Sequence, residues 1–188
     1  DNLVSLSDIY GIRLAEFRRK GDMVRVKYRN DVIKEFTKAM NGRDDFHDDM
    51  RFGDKFRGYK SVRQLQYILD PDRDIDPDVL EKLKKDILIE SDPMSIKIFR
   101  ARVWPAVRVN CATSACHGSA EGVGGLKLFN VSARDTRVAY TNFAILAGIS
   151  TKKSARILDR DNIEDSLLLQ YLLPATQAKT PHPKTKKP

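Results

Sequence analysis

Apolar side chains recur every three or four residues along most of this chain, a period that predicts a mainly α-helical protein. Ile9, Ile12, Leu14 and Phe17 mark one side of a first short helix, which Ser7 can cap. The pattern breaks at Gly21-Asp22. Val24, Val26 and Tyr28 then alternate with Arg25, Lys27 and Arg29, a period of two that predicts a half-buried strand in need of a partner. Asp31 opens a helix with Val32, Ile33, Phe36 and Met40 on one face, stopping near Asn41-Gly42. Two short amphipathic helices follow. Val62, Leu65, Ile68 and Leu69 mark one, ended by Asp70-Pro71; Val79, Leu80, Leu83 and Ile87 mark the next, opened by Asp76-Pro77. Asp92-Pro93 starts a longer helix with Ile96, Phe99, Val103 and Val107 on one side, which runs into Cys111; Pro105 is expected to kink or interrupt it. Residues 135–146 and 164–173 are the last predicted helices, the second stopped by Pro174, and residues 178–183 read as an extended, proline-containing segment.

Two polar stretches interrupt this series. Between residues 43 and 60 the charges surround Phe46, Phe52, Phe56 and Tyr59, so an ordered excursion is expected there in preference to a free linker. His47 lies among Asp44, Asp45, Asp48 and Asp49. That run lacks the glycine and terminal glutamate of a calcium loop and reads as a solvated acidic turn. The alternate aspartates from Asp70 to Asp78 read as a turn leading into a helix start.

The 188 residues, 41% hydrophobic and 32% charged, suffice for one large domain or a domain with a substantial extension. The pattern divides them into an N-terminal extension, 1–91, mostly helical with at least one short strand, and a second domain, 92–188. No apolar run reaches the roughly 20 residues of a membrane helix. The net charge of +8 is uneven: residues 101–188 hold 13 Lys/Arg against 6 Asp/Glu, whereas residues 1–100 hold 21 against 20. A basic surface on the second half would steer an acidic partner protein. The C-terminal lysines Lys179, Lys184, Lys186 and Lys187 lack the interleaved aromatics of a nucleic-acid reader, so no nucleic acid is expected.

The chemistry is concentrated in Cys111-Ala112-Thr113-Ser114-Ala115-Cys116-His117, which contains both cysteines of the chain. Two cysteines followed directly by histidine are the grammar of covalent haem attachment, with each thiol in thioether linkage and the histidine on iron. The usual gap is C-x-x-C-H, and here four residues intervene. Small residues fill the gap and can bulge outward without meeting a porphyrin edge, and Gly118 permits a sharp turn after the histidine. Zinc held by Cys111, Cys116, His117 and a distant histidine is an alternative, as is a local Cys111–Cys116 disulfide. Gly118, Gly122, Gly124 and Gly125 then form a loop without the Lys-Ser/Thr pair of a phosphate-binding loop.

The order of motifs, Val103-Trp104-Pro105-Ala106-Val107, Cys116-His117-Gly118, Gly124-Gly125-Leu126-Lys127-Leu128 and Glu164-Asp165-Ser166-Leu167-Leu168, resembles cytochrome c. More narrowly, it resembles the cytochrome c domains attached to large planctomycete proteins, over about residues 95–175. The resemblance implies a helical haem domain with haem c bonded to Cys111 and Cys116 and His117 as proximal iron ligand. It departs in the cysteine gap and in the distal methionine, since Met23, Met40, Met50 and Met94 all precede Cys111. His182, held between Pro181 and Pro183, is the leading distal candidate, ahead of Met94 or another upstream methionine and of an open site.

The expected function is monohaem electron transfer with no catalysed bond chemistry. The alternative is a five-coordinate haem that binds gas or peroxide, with Tyr140, Arg137 or His182 on its distal side. An interaction role for residues 1–91 is compatible with either. Because thioether attachment takes place outside the energy-transducing membrane in bacteria, a periplasmic or otherwise exported location is expected, with an export signal or leading domain preceding residue 1 in a larger polypeptide.

Overall fold

The computed structural model describes residues 3–41, 52–130, 135–148 and 156–183. The fold is mainly α-helical with a short two-stranded sheet, as the periodicity predicts. The chain separates into two compact units, Ser5–Val103 and Trp104–Pro188, the latter including Asp1–Val4.

The N-terminal unit contains α1 (Leu6–Glu16), β1 (Val26–Tyr28), α2 (Val32–Met40), α3 (Phe52–Arg57), α4 (Ser61–Ile68), α5 (Pro77–Lys85), β2 (Ile87–Ile89) and α6 (Met94–Ile98). The cap of α1 is Ser5, not Ser7. The Ser5 hydroxyl accepts from the Asp8 amide at 3.1 Å and the Asp8 carboxylate accepts from the Ser5 amide at 2.8 Å, a reciprocal box that Ser7 cannot build. The strand partner of β1 is β2, antiparallel, with Val26 opposite Ile89 and Tyr28 opposite Ile87. Ile87, expected as the last apolar residue of a helix, instead begins this strand, because α5 ends at Lys85 with Asp86 as its cap.

Phe36, Met40, Phe56, Leu65, Ile68 and Ile89 are completely buried in one cluster, with the Phe36 and Phe56 rings 4.9 Å apart. Phe56 thus carries the expected excursion into the core, while Phe46 and His47 lie outside the described residues. Two carboxylates, Asp22 buried and Asp92 partly buried, tie this unit together. Asp22 accepts from the amides of Arg18 and Met94 at 2.7 Å each, and Asp92 pairs with Arg13 at 2.7 Å and Arg100 at 2.6 Å. The predicted helix from Asp92 is not broken at Pro105. It widens into a π-helical turn over Phe99–Val103, then resumes as α7 (Trp104–Asn110). Proline supplies no amide and crowds the preceding turn, and a wider turn just before it relieves both problems.

The second unit adds α8 (Thr136–Gly148), a 3-10 turn (Ile163–Asp165) and α9 (Leu167–Leu172) to α7. Trp104, Tyr140, Val138, Phe143 and Leu146 form its interior. The last helix, expected as continuous, breaks at Ser166, whose buried hydroxyl donates to the Ile157 carbonyl at 2.7 Å. Asn142, fully buried, accepts from the Phe129 amide at 2.9 Å and donates to the Phe129 carbonyl at 3.0 Å. This two-way bond fixes to α8 the segment that follows the glycine loop.

Candidate cofactor site

Cys111, Cys116 and His117 open onto one cavity of about 740 Å³ in the second unit. The four-residue gap closes on itself: the His117 amide donates to the Cys111 carbonyl at 3.0 Å, and the Cys116 amide to the Thr113 carbonyl at 3.0 Å. Ala112 is buried, whereas Ser114 and Ala115 are exposed. Gly118 is required by space, since a Cβ there would lie 2.1 Å from the Ala112 carbonyl oxygen. Both thiols are free. Burial, and then the charge of nearby Cys116, push the Cys111 thiol above its ordinary range.

The glycine loop sets the histidine. Gly124 and Gly125 adopt φ of 62° and 79°, the left-handed pair of a tight hairpin turn that L side chains rarely adopt. The Val123 and Leu126 amides exchange hydrogen bonds with each other's carbonyls at 3.1 Å across this turn. The same two carbonyls face His117 Nδ1, at 3.0 and 3.2 Å. Nδ1 therefore donates to them, and Nε2 is the ring nitrogen left available to a ligand or metal. A backbone-anchored Nδ1–H is the outer contact that orients a metal-binding imidazole and raises its basicity.

His182 lines the same cavity, although 65 residues separate it from His117. The two ring centroids are 6.0 Å apart. Its Nδ1 is 2.8 Å from the Pro183 carbonyl, and the Tyr171 ring meets it edge-on at 4.8 Å. Both histidines thus spend Nδ1 on backbone carbonyls. Two rings this close would both be within reach of one metal ion held between them.

The remaining wall is apolar, with Val107, Leu128, Leu146, Ile157 and Leu167 all buried. Val107, Leu146 and Leu167 come from α7, α8 and α9, and Leu128 and Ile157 from the segments between them, a convergence that periodicity signals only as core. Among the described residues no methionine lines the cavity, and Met94 belongs to α6 in the N-terminal unit. Tyr140 and Arg137 also do not line the cavity. Tyr140 is completely buried, and Arg137 donates to the Val4 and Leu3 carbonyls at 3.0 and 3.4 Å. Among the described residues no three His, Cys, Asp or Glu side chains converge tightly enough to hold a metal ion by themselves, whereas a haem needs only two axial ligands from the protein. A cavity of this volume falls within the range of about 300–1,000 Å³ typical of cofactor pockets. No protein-family model, curated protein or solved structure matches this chain.

Proposed function

We propose that this chain is a monohaem c-type electron carrier, with haem c bonded to Cys111 and Cys116, His117 as proximal ligand and His182 as distal ligand. One observation carries the reading: both thiols and both imidazoles face a single apolar cavity, with the rings 6.0 Å apart. A bound haem would supply one-electron chemistry at iron. The residues of this chain would provide the rest. The Val123 and Leu126 carbonyls hold His117 in the tautomer whose Nε2 is free. The buried leucines and Ile157 lower the local dielectric and exclude water. An imidazole in place of a thioether on the distal side shifts the reduction potential downward.

Two protein ligands would leave no open coordination position. This favours electron transfer over a gas- or peroxide-binding haem. The excess of Lys/Arg in residues 101–188 suits an acidic redox partner, and the N-terminal unit suits a docking module within a larger, exported polypeptide. The test is the optical spectrum of haem-loaded protein, reduced, with and without carbon monoxide. The reading expects a low-spin spectrum that carbon monoxide leaves unchanged, and His182→Ala should make it respond. A wild-type spectrum that shifts at once on gas addition would favour the open-site alternative.

A further inference from the structure

Gln170 is the one polar side chain in the run Leu167-Leu168-Leu169-Gln170-Tyr171-Leu172, and it is buried, with 5% of its surface exposed. Burying an amide is unfavourable unless its donor and acceptor are both used. Here both are. Gln170 Nε2 donates to the Glu164 carbonyl at 2.6 Å, before the break at Ser166. Gln170 Oε1 accepts from the backbone amide of Lys179 at 2.7 Å and from that of Thr180 at 3.4 Å. These are the residues that lead directly into Pro181-His182-Pro183.

The segment has few other ties to α9. His182 is exposed, and Tyr171, the next residue along α9 from Gln170, offers it only a ring edge at 4.8 Å. Pro181 and Pro183 stiffen the strand on either side, so a hold at 179–180 is transmitted to the histidine with little slack. Lys179 Nζ reaches Asp165 at 3.2 Å, but this pair is exposed and contributes little.

We propose that Gln170 is the positioning residue for the distal ligand: by pinning the Lys179–Thr180 backbone to α9, it keeps His182 in place opposite His117. This rests on the reading of the cavity as a two-histidine haem site. It makes the sixth coordination position adjustable from outside the cavity, because whatever loosens the strand frees the iron for an external ligand. Net hydrogen-bond energies imply that losing the two acceptor contacts raises the detached fraction by about tenfold or more.

The experiment follows carbon monoxide binding and the low-spin spectrum in Gln170→Leu, Gln170→Glu and His182→Ala, each loaded with haem. Gln170→Leu removes the acceptor and should bind carbon monoxide about tenfold faster than wild type, in the direction of His182→Ala. Gln170→Glu keeps an acceptor for both amides but loses the donor to the Glu164 carbonyl, so it should respond less than Gln170→Leu, a partial rescue that mere loss of packing would not give. A Gln170→Leu variant as unreactive as wild type, beside a reactive His182→Ala, overturns the positioning role and leaves the ligand assignment standing. An unchanged His182→Ala overturns both. Should Gln170→Leu fail to fold, amide hydrogen exchange of the wild type decides: protection at Lys179 and Thr180 supports the pinning, and exchange as in free chain overturns it.

Discussion

In the Ser5–Val103 unit, Phe36, Met40, Phe56, Leu65 and Ile68 are completely buried against one another. In the second unit, Val107, Leu128, Leu146, Ile157 and Leu167 are buried and still line a cavity of about 740 Å³. The N-terminal unit has a depression of its own, about 1030 Å³ between α1 and α5, but charged residues such as Arg29, Asp70 and Lys85 rim it and no cysteine or histidine lines it. The first unit closes its core with its own side chains, whereas the second keeps a cavity onto which two thiols and two imidazoles open.

Withholding haem should separate the two most strongly. In haem-free chain, amides of α7, α8 and α9 are expected to exchange about ten times faster, or more, than those of α2, α3 and α4, because a ligand that binds only the folded state stabilises the unit that holds it. Equal protection in both units would break the contrast. Phe56→Ala should act in the opposite place. It removes a buried ring from the aromatic cluster and should cost about 3–5 kcal/mol in the unfolding of the N-terminal unit, with the haem spectrum of the loaded protein unchanged. A spectral change would couple the units.

The smallest effect is at the start of α1. Ser5→Ala should cost about 1 kcal/mol, measured by denaturant unfolding. The Ser5 hydroxyl, and then the Ser5 amide, hold the Asp8 carboxyl below its usual range. That contribution is present above the ordinary carboxylate pKa and is lost as pH falls through the lowered folded value, so Ser5→Ala should flatten the acid limb of the stability profile.

The sequence pattern reaches unequally into these features. The α2 face of Val32, Phe36 and Met40 is legible because a nine-residue helix repeats its apolar period. β2 is not, since Ile87-Leu88-Ile89 is apolar throughout and as short a run continues a helix as readily as it starts a strand. Cys111, Cys116 and His117 are legible because they lie within seven residues of one another in the sequence. The approach of His182 to His117 is a tertiary event with no local signature beyond two flanking prolines. Gln170 is hidden for another reason: a lone polar residue in a leucine run looks like a solvent-facing position, and only the fold reveals that it is buried.

The account depends on covalent haem at residues 111 and 116. Intact-mass measurement of the chain, expressed in a haem-maturing exporting host and denatured before analysis, tests this directly. The account predicts the polypeptide mass plus one haem, reverting to polypeptide alone in Cys111→Ser/Cys116→Ser. A wild-type chain that runs at the bare polypeptide mass from such a host would contradict it.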